Sequence, residues 1–165
     1  MSSLFDSAKF VMSVADIEGL PDSELPEIAF AGRSNAGKST TINCICRQSR
    51  LAFSSKTPGR TQLLNFFELS VKGEKPRERI PKGYLVDLPG YGFAKAAPET
   101  RKTWENLVGG YVVGREQLKG IVIVMDARRP FMPADEFLLD FLLPREDLAI
   151  HFLLNKSDQL KTTEK

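Results

Sequence analysis

The sequence predicts an α/β doubly wound, mostly parallel sheet, and three observations predict it. Short apolar segments of strand length alternate with segments of helical pattern along the chain. One of them, Gly120-Ile-Val-Ile-Val-Met, is a continuous apolar run, as expected of a central parallel strand covered on both faces. The strand pattern Glu27-Ile-Ala-Phe-Ala runs straight into a glycine-rich turn that opens a helix.

The elements follow in order. Residues 1–26 are mixed, with an amphipathic hint around Phe5, Phe10 and Val11 and turn residues at Pro21-Asp22-Ser23. They read as a lead-in packed on a single domain over 27–165. After the first strand, Lys38 to Arg47 reads as a helix and the polar residues 48–61, with Pro58 and Gly59, as a loop. Leu63 to Val71 alternates enough for a half-exposed strand. Lys72 to Gly83 is charged and carries Pro76 and Pro81, so it reads as an extended hairpin connection. Tyr84 to Leu88 is the next strand, stopped by Pro89-Gly90. Residues 98–113 read as a helix containing Trp104, weakened by Gly109-Gly110. The apolar run at 120–125 precedes an amphipathic helix over 133–143, and Ala149 to Leu154 is a further buried strand.

Composition bounds the function. The chain has 165 residues, 42% apolar and 27% charged, which suits one globular domain with a real core. A formal net charge of +2 means that a polyanionic partner would need a local basic patch. Cys44 and Cys46 are not a C-x-x-C pair and read as free buried thiols in a reducing cytosol. The single histidine, His151, lies in an apolar run and reads as a strand residue, which argues against His/Cys metal sites. There is no basic n-region with an apolar core, and no run near the roughly 18 apolar residues of a membrane span. A cytoplasmic, monomeric protein with no membrane partner is expected.

Four motifs carry chemistry. Gly32-Arg33-Ser34-Asn35-Ala36-Gly37-Lys38-Ser39 is a G-x-x-x-x-G-K-S phosphate loop in its confirming context, after a strand and before a helix. Its glycines let successive N–H groups turn toward phosphate oxygens, and the helix N-terminus adds unpaired donors. Lys38 brings a positive charge to the β- and γ-phosphates. Ser39 offers a hydroxyl to Mg²⁺, a hard cation that prefers oxygen. Thr40 follows within the same first turn. This motif makes the predicted fold a P-loop NTPase, a three-layer α/β/α sandwich with one antiparallel edge strand.

Asp87-Leu88-Pro89-Gly90 ends a strand 49 residues after Lys38. Its carboxylate can hold magnesium through a water, and the Gly90 N–H can meet the γ-phosphate. Asn155-Lys156-Ser157-Asp158 follows another strand. There Asp158 can accept both the N1–H and the amino group of guanine, a donor pair that adenine lacks. Lys156 can lie along base and ribose, and Asn155 can tie this turn to the phosphate loop. Thr57-Pro58-Gly59-Arg60-Thr61 lies in the polar loop. A threonine here can reach Mg²⁺ only while the γ-phosphate is present, so hydrolysis would release the segment. Thr61 is preferred to Thr57 because it lies nearer the following strand.

Together with Lys56-Thr-Pro-Gly-Arg-Thr-Gln62 and Val86-Asp-Leu-Pro-Gly-Tyr-Gly92, these residues resemble the EngB (YihA/YsxC) family of bacterial Era-like ribosome-biogenesis GTP-binding proteins. The resemblance runs from about Phe10 to Asp158. It implies a GTPase acting in assembly of the large ribosomal subunit and needed for normal division and septation. It also implies potassium held near Asn35, as in related GTPases with Asn-Ala-Gly-Lys. The family usually has Thr-Lys-Ala-Asp where this chain has Asn155 to Asp158. It also continues into another strand, a serine-rich guanine-contacting loop and a helix, so a domain truncated at its C-terminus is expected here.

Many GTPases place a glutamine after the D-x-x-G to orient the attacking water; here Tyr91 stands there. Slow intrinsic hydrolysis is therefore expected, with Lys38, Thr61 and Gly90 as the catalytic set and Arg60 as a possible charge stabiliser. Candidate RNA-facing cations are Arg47, Arg50, Lys56, Arg60, Lys72, Lys75, Arg77, Arg79 and Lys95. Two other readings remain. One is a nucleotide-binding scaffold without turnover. The other is a P-loop nucleotide kinase, which would need an acceptor region and an arginine-rich lid that the sequence does not offer.

Overall fold

The computed structural model describes residues 3–53, 62–91 and 98–160. Six strands form one sheet in the order β1-β3-β4-β2-β5-β6. They are β1 (Lys9–Val14), β2 (Glu27–Gly32), β3 (Leu64–Lys72), β4 (Arg79–Asp87), β5 (Leu118–Asp126) and β6 (Ala149–Asn155). Strands β4, β2, β5 and β6 pair in parallel, and β3 runs antiparallel to both its neighbours. The mostly parallel sheet with one reversed strand is as the sequence predicts. The reversed strand is not at the edge, however, because β1 lies outside it. Residues 9–14 thus belong to the sheet itself, where Lys-Phe-Val-Met-Ser-Val gives a β-prone edge.

Alternation along the strands sorts side chains to the two faces. Phe66, Val86, Ile121 and Ile123 point to one face, where they meet Trp104, Leu107, Tyr111, Leu138 and Leu142. Phe67, Leu85 and Val124 point to the other and meet Ile42 of α1 (Lys38–Ile45). The helical layers are therefore α1 on one side, and α2 (Pro98–Trp104), α3 (Gly110–Gly114) and α4 (Pro133–Leu142) on the other.

Residues 98–114 form one continuous helical run interrupted by a π-turn over Glu105–Gly109. The two glycines that weaken the helical pattern are packing devices. A Cβ on Gly109 would lie 2.9 Å from the Phe141 ring, and one on Gly110 would lie 3.1 Å from Ile17. Arg145 then closes the end of this run by donating to the carbonyls of Val112, Arg115 and Leu118.

Three expectations are corrected. Half of the charged stretch 72–83 is strand, with the turn confined to 73–78. Pro81 is tolerated because it sits opposite Ser70, where the β3–β4 register shifts. Strand β6 forms, but it is not buried: Ile150, Phe152 and Leu154 are 38%, 40% and 51% exposed, because β6 has a single strand neighbour among the described residues. His151 is an exposed residue of that strand. Of the two cysteines only Cys46 is buried, and burial pushes its thiol up to about 11; Cys44 is exposed. Among the described residues no helix is long and apolar enough to cross a membrane.

Candidate functional site

The site lies where β2, β4, β5 and β6 end side by side. Strand β2 delivers Gly32 between Val124 of β5 and the turn after β4. A Cβ there would lie 2.8 Å from the Val124 carbonyl, so only glycine lets the chain leave the sheet at this point. The loop then turns through left-handed conformations at Asn35 (φ 68°) and Gly37 (φ 98°). Gly37 caps α1, its carbonyl receives the Thr41 N–H and hydroxyl, and Lys38 and Ser39 open the first turn. Among the described residues no side chain caps this helix, so its first N–H groups are open to an anion.

Lys38 reaches across to β4, and its ammonium is ion-paired with Asp87 Oδ1. Asp87 is 4% exposed. Burial pushes its carboxyl above the usual range, and the Lys38 ammonium draws it back only in part. Each of the two charges that the sequence assigns to phosphate and magnesium is therefore satisfied by the other. The Ser39 side chain is also buried at this helix start. A buried carboxylate and a hydroxyl at a helix N-terminus are hard oxygen donors, so the residues present fit magnesium.

Leu88 N–H donates to the Phe30 carbonyl, which seats the turn after β4 on β2. Gly90 packs on the phosphate loop; a Cβ there would lie 3.2 Å from Ser34 Oγ. Tyr91 pairs in parallel with Arg33, receiving Ser34 N–H at 2.9 Å and donating to the Gly32 carbonyl at 3.3 Å. Its side chain turns away from the loop into the core. There its ring meets Trp104 edge-on at 5.5 Å, and its hydroxyl donates to Asp135 Oδ1 at 2.7 Å. Trp104 Nε1 in turn donates to the Pro89 carbonyl at 3.0 Å.

The third motif meets the first in space. Asn155 Nδ2 donates to the Ala36 carbonyl at 3.1 Å, and Lys156 Nζ donates to the Asn35 carbonyl at 2.8 Å. Lys156 is itself left-handed (φ 62°) and begins the 3-10 turn Ser157–Gln159, which leaves Asp158 exposed. Gly37 is tied to this arrangement too, since any Cβ on it would overlap the Asn155 amide.

One participant escaped the sequence reading. Asp126 ends β5 beside Asn155 and lies 3.8 Å from Lys156 Nζ. It accepts a bidentate pair from Arg128, which, first among several causes, holds its carboxyl well below the usual range. The signal available was a lone carboxylate directly after the apolar run Ile121 to Met125. Gly59, Arg60 and Thr61 lie outside the described residues, as do Lys56, Thr57 and Lys95. Of the other basic candidates, Arg47 is paired with Asp6, and Arg79 donates to the Ser70 hydroxyl and carbonyl.

Comparison with known proteins agrees with this geometry. The family model described as 50S ribosome-binding GTPase matches residues 27–156. The chain is similar to the probable GTP-binding protein EngB of Ralstonia pickettii, at 52% identity over 162 residues, 98% of this chain and 67% of that protein. It is also similar to its counterpart in Thiobacillus denitrificans, at 49% identity over 98% of this chain and 73% of that one. The chain thus spans about two thirds to three quarters of the length of these relatives. Among solved structures, a probable GTP-binding protein engB matches with a TM-score of 0.54 at 24% identity, over 84% of this chain and 74% of that one. Era in complex with MgGDPNP and a stretch of 16S ribosomal RNA matches with the same score and identity over 82% of this chain and 42% of that one. These two share the fold. The chain belongs to the EngB family, within the 50S ribosome-binding GTPases, and is a GTPase.

Proposed function

We propose that the chain is a GTP-driven switch with slow turnover, acting in assembly of the large ribosomal subunit and needed for normal cell division and septation. The observation that carries the nucleotide half is the meeting of three sequence-distant motifs: Asn155 and Lys156 are hydrogen-bonded to the phosphate loop whose Lys38 is paired with Asp87. The ribosomal half rests on kinship with EngB proteins and on the description of the matching family.

In this reading Gly32 to Thr40 hold the phosphates. Leu88, Pro89 and Gly90 present backbone to the γ-phosphate, and Asp158 selects guanine. Ser39, Thr61 and Asp87, the last through a water, would hold magnesium, which when bound neutralises charge on the β- and γ-phosphates. Gly59, Arg60 and Thr61 form the segment that responds to loss of the γ-phosphate. Lys38 must leave Asp87 to reach phosphate, so nucleotide and magnesium binding are coupled through this pair. Tyr91 faces Asp135 and gives the attacking water no amide, which supports a slow intrinsic rate. Potassium near Asn35 would add charge stabilisation; equal turnover in potassium and sodium buffers would remove it from the mechanism.

The test is cosedimentation of the protein with large ribosomal subunits in the GTP and GDP states, at two salt concentrations. Stronger binding with GTP, weakened by salt, is expected. Binding that ignores the nucleotide would undo the switch. A chain that binds GTP and subunits yet never turns over would be the scaffold.

A further inference from the structure

Asp135 is a buried carboxylate, 1% exposed, with no cation in ion-pair contact among the described residues. Such a group is unfavourable unless both oxygens are satisfied. One is satisfied locally: Oδ2 accepts the Met132 N–H at 2.9 Å and closes the first turn of α4. A serine or asparagine could cap a helix start without burying a charge. The other oxygen serves something remote in sequence. Oδ1 accepts the Tyr91 hydroxyl at 2.7 Å, across 44 residues.

Tyr91 is gripped from both ends. Its backbone is bonded to Gly32 and Ser34 of the phosphate loop, and its hydroxyl to α4 through Asp135. Gly90, the residue just before it, faces Ser34 so closely that a Cβ on it would lie 3.2 Å from Ser34 Oγ. A shift of the Tyr91 ring therefore moves the Gly90 peptide relative to the phosphate loop. Burial and the Asp135 carboxylate both push the Tyr91 hydroxyl well above the usual phenol range, so it keeps the proton that it donates.

We propose that Asp135 is a positioning residue for γ-phosphate recognition, holding the Gly90 peptide in register with the phosphate loop through the Tyr91 hydroxyl. This rests on the reading of Gly90 as the γ-phosphate neighbour. GDP, which has no γ-phosphate, is indifferent to the latch; GTP is not.

The test is Tyr91→Phe, which keeps the ring against Trp104 and deletes only the hydroxyl. Affinities for fluorescent GDP and for a non-hydrolysable GTP analogue are measured with magnesium. The affinity for the GTP analogue is expected to fall by about tenfold, the scale of one hydrogen bond to a charged partner, while that for GDP holds within about twofold. Asp135→Asn keeps an oxygen for the Met132 N–H and replaces the charged bond by a neutral one, so it lowers the same ratio from the other end. It changes the ratio no further once Tyr91→Phe is present. Should Tyr91→Phe fail to fold, Asp135→Asn alone gives the reading. Equal weakening of both nucleotides, no change in either, or an added effect of Asp135→Asn on top of Tyr91→Phe would reduce the bond to a structural one. A wild-type protein that binds GDP while its variants keep the wild-type ratio overturns this inference alone. One that binds no guanine nucleotide overturns the proposed function as well.

Discussion

Removing Lys38 from the nucleotide-free protein should make its stability more sensitive to pH. Among the described residues, Lys38 is the only cation in ion-pair contact with Asp87, whose side chain is 5% exposed against 13% for Lys38. Deleting one member of a buried pair costs about 3–5 kcal/mol, because the other is left buried and uncompensated. The residual exposure of Lys38 lets some water reach the site, which favours the lower end, about 3 kcal/mol for Lys38→Ala.

The sign with pH follows from Asp87. Its carboxyl titrates above the unfolded value of 3.8 because of burial, with Lys38 opposing that rise. Above 3.8 the folded protein keeps a proton that the unfolded chain has released, so this group's contribution falls as pH rises through that window. Without Lys38 the window extends further upward. The deficit of Lys38→Ala should then be small below about pH 3, where Asp87 is neutral in both states, and full at about pH 7. Urea unfolding can be followed by the chain's one tryptophan, Trp104, which is 6% exposed. Lys38→Ala combined with Asp87→Asn removes both charges and should recover most of the loss. A deficit independent of pH, or a double variant no more stable than the single one, would refute the argument.

Three further outcomes are expected. Gly37→Ala combines left-handed strain of about 1–2 kcal/mol with overlap on the Asn155 amide, so GDP affinity in a fluorescence titration should fall by about tenfold or more. Adding Asn155→Ala should relieve the overlap but leave the strain, recovering only part. Asp158→Asn turns an acceptor pair into one acceptor and one donor. Competition titration should show guanine nucleotides weakened and xanthine nucleotides, whose base carries a carbonyl in place of the amino group, strengthened. At the far end of the sheet, Glu27 is fully buried and bonded to Arg115 at 2.7 Å and to the Tyr111 hydroxyl at 2.6 Å. Arg115→Met should lower unfolding free energy by about 3–5 kcal/mol, and adding Glu27→Gln should return much of it, as read from urea midpoints.

What the sequence disclosed and what it hid divide along a physical line. The phosphate loop, Asp87 and Asn155 to Asp158 were readable because each needs particular residue types at fixed local spacing next to a strand end. The central strands were readable because burial on both faces leaves an unbroken apolar run. The exposure of β6 was not readable, since Ala149 to Leu154 has the same apolar character as a covered strand. Only the identity of its neighbours tells the two apart. The strand at Lys9 to Val14 is not announced by the sequence, because its alternation is weak and its partners are 50 to 59 residues away. Asp135 stands in the first turn of the helix that begins at Pro133, and nothing local announces a bond to Tyr91. The glycines at 109 and 110 lowered helical propensity as expected, but the helix forms because their missing side chains admit Phe141 and Ile17.

Strand order explains why motifs so far apart become one site. In a parallel sheet every strand ends on the same side, so the residues that follow them are gathered at one rim. Strand β2 lies between β4 and β5 although neither adjoins it in sequence, and its loop therefore has Asp87 on one flank and Asp126 on the other. One strand further out, β6 brings Asn155 and Lys156 back over the loop that β2 began. The reversed strand β3 takes no part at this rim through its C-terminal end, because it runs the other way; it is its N-terminal end, at Leu64, that lies here. A reversal that looks like an irregularity of the sheet thus brings the start of β3 to the rim where β2, β4, β5 and β6 end. A variant that disturbs β3 packing from the core side, such as Phe66→Ala, should on this argument weaken GTP relative to GDP as well as lower stability by about 3–5 kcal/mol. Parallel titrations of the two nucleotides with the folded variant would separate the effects, and equal losses for both would show that β3 serves the core alone.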